Sequence, residues 1–130
     1  MTLFSSAMSD AEIIAFVDTW AALLEAGDYQ AAYDATAHSA EMDWTPELIQ
    51  AVIEQYGEAE PGQRVTVVGA PTDIHQRKEV DRWPANRNGS VGEVWYDLNI
   101  NGKVSDLTAT FALRQDVNGI SIWLNDIHVM

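Results

Sequence analysis

The sequence predicts an α+β fold, with three N-terminal helices packed on a curved antiparallel sheet of four to five strands. Two patterns and one border predict it. Helical periodicity with start and stop signals fills residues 9–57, and alternation broken by Asn-Gly turns fills residues 64–129. The charge changes at the same border. Residues 1–63 carry twelve acids and no Lys or Arg, whereas residues 64–130 carry all seven bases against eight acids. The 130 residues, 47% of them apolar, read as one domain, 1–130, large enough to hold a core without staples.

Ser9-Asp10-Ala11-Glu12 is a capping box, and Met8 with Ile13 fits the hydrophobic staple that accompanies one. Ile13, Val17, Trp20 and Leu24 follow at helical spacing, widened by Phe16 and Leu23, and Gly27 stops the helix. Asp28 caps a short second helix with Tyr29, Ala32, Tyr33 and Thr36 on one face. His38 lies in the polar stretch after it, in solvent. Thr45-Pro46-Glu47 starts a third helix, with Trp44 and Ile49 as staple. Its expected buried stripe is Leu48, Ile49, Val52, Ile53 and Tyr56, ended by Gly57.

Residues 58–63 form a linker. Residues 64–70 are β-branched and short, a first strand, and 73–80 a second. Residues 82–90, with Trp, Pro, Asn and Gly, read as a loop. Residues 91–100 and 103–115 are strands joined by Asn101-Gly102, a type I′ signal, and 120–129 is the last strand after a turn ending in Asn118-Gly119. Register decides faces. Ile100 opposite Lys103 puts Val94, Tyr96, Leu98 and Ile100 on the helix-covered face with Leu107, Ala109, Phe111 and Leu113. A two-residue turn at Asn118-Gly119 adds Ile120, Ile122, Leu124, Asp126 and His128 to it. Trp95, Trp123, Ile127 and Val129 then fall on the outer face, an apolar patch of the kind that marks an interface.

Three helices followed by such a sheet resemble the NTF2-like, cystatin-related cone, in which a bent sheet wraps a long first helix. The stretches Phe16-Val17-Asp18-Thr19-Trp20, Leu24-Glu25-Ala26-Gly27-Asp28-Tyr29 and Ala32-Tyr33 look like the opening of many such domains. The run from Val94-Trp95-Tyr96-Asp97-Leu98 through Ser105-Asp106-Leu107-Thr108 to Asp126-Ile127-His128-Val129-Met130 looks like small bacterial domains of unknown function. The resemblance implies a cone that holds a small ligand or an active site, and dimers through the outer sheet face. It implies no particular reaction.

Composition narrows the partners. A net charge of −13 argues against nucleic acid and anionic membrane surfaces, because phosphate binding needs clustered bases. No apolar run approaches the roughly 18 residues of a membrane span, and residues 1–9 make a poor signal peptide. The absence of Cys removes thiol chemistry and fits a cytoplasmic location.

The leading chemical candidate is Asp126 with His128. Two apart on a strand they share a face, and a carboxylate that orients an imidazole makes a general base. Tyr96, Trp20 and Tyr33 are expected to line the same pocket as ligand-binding residues. Asp97 and Asp106 come out directly opposite each other on the outer face, where water screening is the simplest account of two like charges. Asp73-Ile74-His75 repeats as Asp126-Ile127-His128, yet their strands should lie roughly 14 Å apart at about 4.8 Å per strand, too far to share an ion. No metal site or cofactor is expected. Phosphate loops, nucleophile elbows and His-Glu-x-x-His are missing.

The favoured expectation is a small-molecule pocket between helices and sheet in a homodimer. Any catalysis there would be acid–base chemistry such as isomerisation or dehydration. The alternative is an acidic protein-binding module, an immunity-type inhibitor covering a basic partner without pocket chemistry. A filled scaffold with no site is a third.

Overall fold

The computed structural model describes residues 3–5, 7–38, 43–57, 60–67 and 77–129. Its elements run β1 (Leu3–Phe4), α1 (Asp10–Glu25), α2 (Tyr29–Ala35), α3 (Pro46–Glu54), β2 (Val65–Thr66), β3 (Lys78–Arg82), β4 (Ser90–Ile100), β5 (Lys103–Asp116) and β6 (Gly119–Val129). This is an α+β chain with an antiparallel sheet in the order β1-β6-β5-β4-β2, with β3 also on β4.

The helices begin where their capping residues stand. Ser9 accepts from the Glu12 amide and Glu12 reaches back to the Ser9 amide, closing the capping box. Asp28 and Thr45 cap α2 and α3 in the same sense. Ile13, Val17, Trp20 and Leu24 are all buried, so the 3.6-residue stripe of α1 is the face laid on the sheet. In α3 the stripe is narrower than the sequence suggests. Ile49 and Ile53 are buried, Val52 and Tyr56 are half-buried, and Leu48 is exposed.

Part of the charge division is neutralised between the layers. Arg82 pairs with Asp10 at 2.9 Å and donates to the Met8 carbonyl at 2.6 Å, which holds the start of α1 on β3. Lys78 reaches Asp18 at 3.5 Å. The Val67 amide donates to Glu25 at 2.8 Å, and Arg64 donates to the Glu25 carbonyl at 3.2 Å. At exposed positions such pairs contribute little stability, typically about 0.2–1 kcal/mol each.

The sheet agrees with the sequence expectation at its first turn and departs from it elsewhere. Asn101 and Gly102 take positive φ, 52° and 78°, as a type I′ turn requires, and Ile100 pairs with Lys103. The register then slips. Ser105, Asp106 and Leu107 stand opposite the single Leu98, so Asp97 pairs with Thr108 and not with Asp106. The Ser105 hydroxyl fills the break, donating to the Leu98 carbonyl at 2.6 Å and accepting from the Leu107 amide at 3.2 Å. Because β5 carries two extra residues there, the faces survive.

The second turn is Val117-Asn118, and Gly119 already pairs with Asp116. Gly119 has φ 133°, and a Cβ there would collide with the Phe4 carbonyl oxygen. The glycine therefore admits β1 rather than making the turn. The two-residue β1, invisible to a periodicity argument, adds a strand to the expected four or five.

The decisive departure is a bulge at Asn125. Leu124 pairs with Phe111 and Asp126 with Thr110, leaving Asn125 unpaired in the ladder. One extra residue reverses every later face. Ile127, expected on the outer face, is therefore a core residue, 5% exposed. Asp126 and His128, expected under the helices, stand on the outer face. Val129 moves to the side of Leu107 but is 57% exposed beyond the end of the core.

The expected strand 64–70 is formed at Val65–Thr66, and 68–70 lie outside the described residues. The expected strand 73–80 is formed later, at Lys78–Arg82. Asp73, Ile74 and His75 also lie outside the described residues.

Candidate functional site

Two of the three aromatics expected to line a ligand pocket pack the interior. Trp20 is 1% exposed and meets Phe111 edge to face, with centroids 5.0 Å apart at 89°. Tyr96 is 3% exposed, and its hydroxyl donates to Asp18 Oδ1 at 2.5 Å. Burial, reinforced by the Asp18 carboxylate, pushes its phenol well above the usual value. Tyr33 is half-buried and stacks on the ring of exposed His38, with centroids 3.8 Å apart. Loss of water around His38 holds its imidazole below the usual value. A cavity beside Tyr96, between α1 and the strands, measures about 20 Å³. That is room for one water molecule. Trp20 and Tyr33 line neither this cavity nor the larger cleft at the hairpin end.

Asp126 and His128 do meet. His128 Nδ1 lies 3.0 Å from Asp126 Oδ2, the proximity that their spacing suggests. They do so on the outer face, beside Trp95, whose ring is edge-on to His128 at 6.4 Å. The Arg77 guanidinium covers that same ring at 4.9 Å, and Arg114 covers Trp123 at 4.7 Å. Trp95 and Trp123 are thus half-buried on the outer face, each under a cation. Asp97 has its own partners. Its carboxylate accepts from the Thr108 hydroxyl and the Arg77 amide, each at 2.7 Å, and lies 3.8 Å from the Arg77 guanidinium. Like-charge opposition of Asp97 and Asp106 does not arise.

A larger space opens at the hairpin end of the sheet. A cleft of about 520 Å³ lies between the end of α3 and the β4–β5 turn. Its apolar surface comes from Ile100, Val104 and Val129, and its polar surface includes Tyr56, Asp106, Lys103 and Glu60. The Tyr56 hydroxyl donates to Asp106 Oδ1. Desolvation and this carboxylate raise the Tyr56 phenol above its usual value, so at neutral pH Tyr56 is a donor. The slipped register builds the site. With three residues opposite Leu98, Asp106 leaves Asp97 and turns to Tyr56.

Sequence reasoning places Tyr56 in a buried helical stripe and Asp106 opposite Asp97, and so misses both. A signal was present. Aliphatic residues on β6 fall at 120, 122 and 124 and then at 127 and 129, and on β5 Ser105-Asp106 interrupts Val104 and Leu107. A period of two that stretches to three across polar residues marks a bulge.

Among the described residues no group of three or more His, Cys, Asp or Glu is placed to hold a metal ion. Among them, too, no helix is long and apolar enough to cross a membrane. A family model described as a domain of unknown function, DUF7668, matches residues 21–130, a span that includes every residue of the cleft. The chain belongs to that family. No curated protein and no solved structure matches the chain.

Proposed function

We propose that this member of the DUF7668 family is a cytoplasmic small-molecule-binding domain of NTF2-like architecture, whose ligand sits in the cleft at the hairpin end of the sheet. One observation carries the reading. Val104 and Val129, two large apolar side chains left 39% and 57% exposed, share one cleft of about 520 Å³ with the Tyr56–Asp106 pair. Exposed apolar surface beside convergent polar groups is the usual composition of a ligand site. Three helices that precede five of the six strands of one antiparallel sheet support the NTF2-like cone, and the absence of Cys supports the cytoplasm.

The test is a protein-observed NMR screen against a small-molecule library. Hits should move the amides of Asn101 to Asp106 and Val129, and Val129→Asp should abolish them. Hits that map to α1 and Tyr96, or shifts unchanged in Val129→Asp, would sink the reading.

The same reading includes a homodimer through the outer sheet face. The sheet edges argue for a face rather than an edge. β1 covers the start of β6, the Ala37 amide donates to the Ile122 carbonyl, and the Trp44 indole donates to the Asn125 carbonyl. At the other side β3 is short and charged. Sedimentation equilibrium should find a dimer that Trp123→Glu converts to monomer. A wild-type monomer at high micromolar concentration would remove the dimer and leave the cleft untouched.

A second reading, the acidic protein-binding module, is favoured by one observation: Asp10, Glu12, Asp34, Glu47 and Glu54 are exposed on helices that carry no base. It predicts a basic partner whose affinity falls steeply with salt and ignores Val129→Asp.

A further inference from the structure

We propose that the ligand of the hairpin-end cleft is a small organic cation with an apolar body, of the arylalkyl-ammonium class; this rests on the small-molecule reading above. The hydrogen-bonding capacity left in the cleft selects the ligand's charge. Most neutral polar groups that line the cleft are already engaged within the protein. Gln63 Nε2 donates to the Ile53 and Tyr56 carbonyls, each at 2.8 Å, which closes the end of α3. Asn101 Oδ1 accepts from the Arg64 amide at 3.1 Å. The Ser105 hydroxyl is used on both sides by the break in β5. Recognition by charge is therefore left to Asp106, Glu60 and Lys103.

These three make no ion pair among the described residues. Two are acids. Asp106 is already aimed, because the Tyr56 hydroxyl holds one carboxylate oxygen, and among the described residues the other oxygen makes no hydrogen bond. A tyrosine ring beside a carboxylate suits a cation twice, through charge and through the ring quadrupole. The field of the whole chain, net −13, raises the local concentration of cations and lowers that of anions. Val104, Val129 and Ile100 supply the surface for the apolar body, which hydration would otherwise oppose.

Three size-matched probes test this on the full chain by NMR titration: benzylammonium, benzyl alcohol and benzoate. Benzylammonium should bind about fivefold more tightly than benzyl alcohol, the effect expected of one partly exposed ion pair, and benzoate more weakly than either. Asp106→Asn keeps an acceptor for Tyr56 and should bring benzylammonium down to the alcohol's affinity. Glu60→Gln, whose side chain has no partner such as Tyr56 among the described residues, is the second variant and should give a smaller loss in the same direction. Equal binding of all three probes would overturn the cation assignment while sparing the cleft as a site. Tightest binding by benzoate would overturn it in favour of Lys103. No binding by any probe would overturn both.

Discussion

The middle of the sheet and its hairpin end are built from the same strands, β4, β5 and β6, yet one is closed and the other open. In the middle, Tyr96, Phe111 and Leu124 meet Trp20, Val17 and Leu24, all buried, and the space beside Tyr96 is about 20 Å³. At the end, the helices have run out. Val104, Val129 and Tyr56 face a cleft of about 520 Å³. The difference comes from register. Regular pairing in the middle delivers one apolar side chain every second residue to the helices. The three-against-one break at Leu98 and the bulge at Asn125 redirect side chains at the end. Order and room are thus separated along one sheet, and the room lies beside the break at Leu98.

The contrast can be broken most severely at its closed part. Trp20→Ala removes the largest fully buried side chain. It should cost about 3–5 kcal/mol in urea unfolding, the range for buried aromatic truncation. A cost under about 1 kcal/mol would mean the interior is looser than described. The bulge is tested by two residues of one strand. Ile127→Ser should cost about 2–5 kcal/mol, and Val129→Ser no more than about 0.5 kcal/mol. A regular strand would put both on one outer face and make the two costs similar.

A smaller effect belongs to Tyr96. Tyr96→Phe removes the bond to Asp18 and should cost about 1–2 kcal/mol near neutral pH. The sign with pH follows from its raised phenol. Above pH about 10 tyrosines of the unfolded chain lose protons that folded Tyr96 keeps, so the native state binds more protons and stability falls as pH rises. Tyr96→Phe should flatten that fall between pH 9 and 11 (as an order-of-magnitude window). Tyr29 and Tyr56, also raised, should keep part of it. An unchanged slope would mean Tyr96 titrates normally. Smallest of all, Tyr56→Phe should leave the melting temperature within about 2 °C, since surface changes are usually within about 0.5 kcal/mol. It should weaken ligand binding measurably by the same titration.

The helical half was legible almost residue by residue, because caps are local. Ser9-x-x-Glu12, Asp28 and Thr45-Pro46 each act on amides within one turn. The Asn101-Gly102 turn was legible for the same reason. What escaped depends on distant chain. Gly119 reads as a turn residue until Phe4 lies against it. Asn125 reads as one more step of alternation, although its carbonyl is held by Trp44 from the helical layer. The Asp126–His128 contact was legible from spacing, since both sit past the bulge and move together. Their face was not, because one unpaired residue reversed it. Tyr56 and Asp106, fifty positions apart, were beyond reach of any pattern within one element.

The most direct test is a crystal structure of the chain soaked in a mixture of small organic fragments, read for where they settle. Fragments against Val104, Val129 and Tyr56, with the space between α1 and the sheet free of fragments and filled by Trp20 and Tyr96, is the predicted result. Fragments lodged beside Trp20 and Tyr96, with the hairpin end bare, would contradict the division between a closed middle and an open end.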